Sequence, residues 1–171
     1  GKPVIITPQT YKQIDDYMDM RAKAVYDSLC DEPENANVNK AILMSQARSQ
    51  VEYLRPQTRE QIEHFAWVQE RKDLFGDKMF DSRCWAEYTP KDQHHGAWKM
   101  HLYSVSEADW REMCEVVIPY LKQNDVEWKT FCSGYMPEQL DGDKAGKEFT
   151  IYTKNNQDMA KIAKDLDALI R

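Results

Sequence analysis

No stretch of this 171-residue chain stays apolar for the ~18 residues a membrane-crossing helix requires. The opening GKPVIITPQTYK holds too short an apolar core for a signal peptide. Glycine-rich phosphate loops are missing: there is no GxGxxG and no P-loop, and neither GxSxG nor HExxH occurs, so those nucleotide, serine-hydrolase and zinc-protease chemistries have no signature here. Cys30, Cys84, Cys114 and Cys132 are far apart, form no CxxC pair and fit no zinc spacing; free thiols in a reducing compartment are the expectation. The pair His94–His95, even with His101 and Cys84, matches no metal template. Neither a metal nor another cofactor is expected. Between Arg111 and Arg171 there is no arginine. A formal net charge of −6 and a pI near 5.3 argue against a general nucleic-acid binder, which needs a net basic face. A local pocket for a single phosphate remains open, since that takes only a few cations.

What is present is an ordinary globular mixture, 42% hydrophobic and 30% charged, enough to bury a core. The first half reads as helices. TPQTYKQIDDYMDMRAKAVYDSL opens with Thr7 as N-cap and Pro8 at the first helical position, and Ile14, Tyr17, Met18, Val25 and Leu29 form one apolar stripe. CDEPENANVN is a loop, KAILMSQARSQVEYLR a second helix ending near Pro56, and TREQIEHFAWVQERKDLF a third ending before Gly76. From about Asp81 the texture changes. RCWAEYT, AWKMHLYS, VEWKTFC and EFTIYT read as strands. SEADWREMCEVVIPYLKQN is a helix capped by Ser106, and NNQDMAKIAKDLDALI closes the chain as a helix with Met159, Ile162, Leu166 and Leu169 inward. The fold expected is α+β: a small, mostly antiparallel sheet packed by two helices (residues 77–171), preceded by a helical N-terminal unit (1–76).

Strand alternation puts Lys99 and His101 on one face of AWKMHLYS, with Met100 and Leu102 on the other. The same rule pairs Lys129 with Phe131 and Tyr152 with Lys154. If these strands are neighbours, Lys99, His101, Lys129, Tyr152 and Lys154 gather at one place, and such a cluster of cations calls for an anion. The plainer reading is a wet sheet face carrying ordinary lysines.

Three pieces in order, KMH (99–101), VEWKTF (126–131) and GKEFTIYTK (146–154), resemble the phosphothreonine lyase family: bacterial type III effectors and the related lyase domains of lanthipeptide synthetases. The resemblance covers residues 97–171. It implies removal of phosphate from a phosphorylated threonine or serine by β-elimination, without metal or water. It also implies Lys129 as base, His101 as acid, Lys99 as a neighbouring cation, and Tyr152 and Lys154 lining the phosphate site. It further implies an effector secreted into a host cell. The partner would be a phosphorylated protein or peptide, a host kinase among the candidates. The chain departs from the family in SGYMPEQLDGDKAGK, which lacks the arginine usually presented there. Arginine grips phosphate with two parallel hydrogen bonds, and lysine does not reproduce that geometry. Lys144, Lys147 and Arg83 are the candidate substitutes. For Lys129 to act as a base it must be neutral, and Trp128 and Phe131 beside it are expected to provide apolar surroundings. The missing arginines and the acidic helical half keep a second reading open: a catalytically inactive protein on the same fold, acting as a protein-binding or regulatory module.

Overall fold

The structure, a computed structural model, describes residues 4–75, 85–90, 96–131 and 146–170. Helix α1 (Pro8–Asp31) starts as its sequence dictates, with Thr7 extended ahead of Pro8. Its far end is closed by the Asn35 side-chain amide, which donates to the Leu29 carbonyl at 2.9 Å. Asn39 opens α2 (Lys40–Val51) by accepting the Ala41 N–H at 2.7 Å. Helix α3 (Arg59–Glu70) opens on a reciprocal cap: the Thr58 hydroxyl accepts the Gln61 N–H, and the Gln61 side chain accepts the Thr58 N–H. The single helix expected over 58–75 is broken at Arg71, whose backbone leaves the helical region, and a short α4 (Lys72–Phe75) follows.

The second half supplies β1 (Trp85–Tyr88), β2 (Trp98–Leu102), α5 (Glu107–Gln123), β3 (Glu127–Phe131), β4 (Phe149–Thr153) and α6 (Asn156–Ile170). The four strands form one antiparallel sheet in the order β1-β3-β4-β2. The chain is thus α+β as expected. Because β4 lies between β2 and β3, the β2–α5–β3 passage is a split crossover. At the start of β2, Gly96 lies so close to β4 that a Cβ there would meet the Thr153 carbonyl oxygen at 2.0 Å.

Two cores follow from the apolar stripes. Ile14, Tyr17, Met18 and Ala22 pack with Val51, Leu54, Ile62 and Phe65 in the helical half. One face of the sheet (Ala86, Trp128, Phe149, Ile151) packs with Trp110, Cys114, Val117 and Leu121 of α5 and Ile162 and Leu166 of α6. Trp67, Val68, Leu74 and Phe75 also belong to this second core. His64–Val68 is therefore buried throughout, because α3 has residues in both cores. The boundary expected near residues 76–81 lies outside the described residues.

Two expectations need correction. Leu169 does not face inward; it is 46% exposed. The buried residues of α6 are Ile162 and Leu166; the helix leaves the core in its last turn, where Leu169 and the neighbouring Ile170, 49% exposed, both lie at the surface. Trp128 does not surround Lys129. Alternation turns it to the opposite face, where it is 1% exposed and packs near Phe149. Among the described residues, no helix is long and apolar enough to cross a membrane.

Candidate functional site

The sheet face away from α5 and α6 carries the polar residues. Its register sets them in rows. His101, Thr150, Lys129 and Glu87 stand opposite one another across all four strands, and Lys99, Tyr152 and Glu127 form the next row. Lys99, His101, Lys129 and Tyr152 are therefore brought onto one face. His101 and Lys129 flank β4, so their backbones are about two strand spacings, ~10 Å, apart. Alternation puts both side chains on the Thr150 side of the sheet. The His101 Nδ1 sits 3.1 Å from the Thr150 hydroxyl, which leaves Nε2 as the nitrogen available to a bound group. Exposure is graded across the face: Lys99 and His101 are exposed, Lys129 is half-buried, and Thr150, Tyr152 and Glu127 are buried.

The other sequence candidates scatter. Lys154 follows the last residue of β4 and lines a cavity of about 230 Å³ with Tyr152, Tyr120, Asp125, Asp158 and Lys161. The Tyr120 hydroxyl donates to Asp165 at 2.6 Å; burial, with help from that carboxylate, pushes its pKa up to about 12. Lys147 is exposed at the opposite end of β4 from Lys154, so the two cannot grip one phosphate. Lys144 and Arg83 lie outside the described residues, as do His94, His95, Cys84 and Cys132. Cys30 and Cys114 are free thiols. Among the described residues, no group of His, Cys, Asp and Glu is arranged to hold a metal.

Sequence reasoning missed the carboxylates of this face. Glu87 opposes Lys129 and Glu127 opposes Tyr152, so the surface is mixed rather than purely cationic. Glu148, two residues before Thr150 and fully buried, accepts the N–H of Gly146 at 3.0 Å and of Ser104 at 3.4 Å. It ties the turn entering β4 to the segment leaving β2. Gly146 has φ +83, which a residue with a side chain adopts only under strain.

A second titratable cluster joins the two cores. His64 on α3 is fully buried, and its Nδ1 lies 2.5 Å from Glu107 Oε1 at the first turn of α5. Arg111 Nε reaches the same oxygen at 3.3 Å, and its guanidinium covers the Trp67 ring. Burial pushes the Glu107 carboxyl up, but His64 and Arg111 outweigh it and hold it below the usual carboxylate range. A folded-state pKa below the unfolded one stabilises the fold above the unfolded value, and that contribution disappears as pH falls through the folded value. Urea midpoints should therefore show Glu107→Gln less stable than the parent by about 1–3 kcal/mol at pH 6, with the gap closing below about pH 4. A gap that stays constant with pH would remove the ionised pair from the account.

In comparisons with family models, curated proteins and solved structures, none matched this chain.

Proposed function

We propose that the polar sheet face binds a phosphorylated threonine or serine side chain and eliminates its phosphate, in the manner of the phosphothreonine lyases that residues 97–171 resemble. The observation that carries this reading is the row His101–Thr150–Lys129, with Lys99 and Tyr152 alongside. On this reading the acid and the base, one on each side of β4, act on a single residue between them. Lys129 Nζ takes the Cα proton. The pair from that C–H bond becomes the Cα=Cβ double bond, the Cβ–O bond breaks, and its electrons leave with phosphate. His101 delivers a proton to the departing oxygen. Lys99 and the Tyr152 hydroxyl would meet the phosphate oxygens, and Lys154 would attract the anion from the rim.

Incubation of the protein with a phosphothreonine peptide, followed by mass spectrometry, tests the reading. The expected product has lost one phosphoric acid, carries dehydrobutyrine and adds a thiol. Free phosphate with an intact threonine would mean hydrolysis and would refute it. One observation favours the non-catalytic module: Glu87 and Glu127 share the face with the cations. Under that reading the peptide is bound, or a protein partner retained, with no change in mass.

A further inference from the structure

We infer that the outer edge of β2 is a docking strand for an extended segment of the substrate with alternating apolar and acidic side chains. This rests on the lyase-like reading and names how the substrate is held. Among the described residues β2 pairs only with β4. Its burial matches an edge: Trp98, Lys99 and His101 are exposed and Met100 and Leu102 half-buried, whereas every residue of β4 is buried. An edge strand presents a row of backbone donors and acceptors, and an extended peptide can complete the ladder.

The two sides of this edge differ in chemistry. Beneath it is a cavity of about 290 Å³, lined by Met100, Leu102, Ala163, Leu166, Asp167 and Ile170. Above it stand Lys99 and His101; Lys99 is exposed and has no ion-pair partner among the described residues. A strand added here alternates its side chains by the same period of two. Apolar residues would enter the groove between β2 and α6, and acidic ones would lie opposite the lysine and histidine. A second copy of the chain is a poorer occupant. Antiparallel self-pairing of β2 about Met100 sets Lys99 of each copy against His101 of the other, a repulsive pair whenever the histidine is charged.

The geometry also fixes a spacing. A docked strand lies one strand width outside β2, while the row above Thr150 lies one width inside it. The chain must cross ~10 Å sideways and rise ~5 Å, about three residues of extended backbone. The phosphorylated residue therefore sits at least three residues from the paired segment.

The probe is a synthetic peptide carrying Val-Asp-Leu-Asp-Val, a three-residue spacer and phosphothreonine, mixed with the full chain. Its affinity should fall at least tenfold when alternate amides of the docking stretch are N-methylated, and similarly in Ile170→Glu. Ile170 is exposed at the groove's end, so that variant should fold, which circular dichroism checks. Turnover of a short phosphothreonine peptide lacking the stretch should be unchanged in Ile170→Glu. Amide exchange across Trp98–Leu102 should slow on binding. If the long peptide is bound or turned over with no dependence on N-methylation and no protection of β2, the docking strand is wrong while the lyase reading stands. Protection of β2 by the acidic stretch with no phosphothreonine turnover keeps the edge and overturns the lyase reading. Dimers that protect β2 without peptide would give the edge to a second copy and overturn the inference.

Discussion

Lys129→Ala should lower the elimination rate by about 10²–10⁴-fold, and His101→Ala by a similar factor, since each removes one of the two proton-transfer groups of the proposed reaction. The magnitudes should not multiply in the double variant, because acid and base act in one step. The pH profile adds a readout that damage to folding does not imitate. A lysine base works only when neutral and a histidine acid only when protonated, so the profile should be bell-shaped. Its rising limb should vanish in Lys129→Ala and its falling limb in His101→Ala. Full activity in Lys129→Ala would remove that residue from the chemistry.

Much of this site was legible because strand alternation is a local property. Lys99 and His101 sit two apart in a strand, and no tertiary knowledge is needed to place that pair on one face; the same rule does not reach Lys154, which lies just past the end of β4. That Lys129 would stand beside Thr150 and face His101 across it was not legible. It depends on β4 inserting between β2 and β3, which is set by how α5 and α6 pack on the sheet. Alternation applied strictly would have turned Trp128 away from Lys129; reading neighbours in sequence as neighbours in space was the error. The carboxylates were missed for a related reason. Glu87 and Glu127 look like ordinary surface charges until the register sets them against Lys129 and Tyr152. His64 within EHFAWV reads as a core histidine, and nothing local reveals that Glu107, 43 residues later, meets it. The helices were easier because their signals are self-contained: Thr7 before Pro8, Thr58 with Gln61, and Ser106 accepting the Asp109 N–H at 3.1 Å. Leu169 failed because α6 runs out of the core in its last turn, where Leu169 and Ile170 are both exposed.

Trp110→Ala should cost about 3–5 kcal/mol, the range for emptying the site of a large buried aromatic. Trp110 is fully buried. Its ring stacks on Phe75 and meets Trp67 edge-on, with His64 beside it, so one residue of α5 contacts both α3 and α4. Its indole N–H donates to the Thr130 hydroxyl at 2.9 Å, and that hydroxyl donates to the Glu148 carbonyl at 2.6 Å. The variant thus loses packing between the helical half and α5, and also the bond linking α5 to β3. Against a total stability of about 5–15 kcal/mol, that loss takes a large share, and urea unfolding followed by circular dichroism should show it. Trp110→Phe separates the two contributions. It keeps most of the ring volume, and Thr130 keeps its bond to Glu148, so the cost should be about 1–3 kcal/mol, as expected for one buried hydrogen bond with modest repacking. Equal costs in the two variants would assign the whole effect to the hydrogen bond. A cost below about 1 kcal/mol in Trp110→Ala would show that α5 is not what joins the helical half to the sheet.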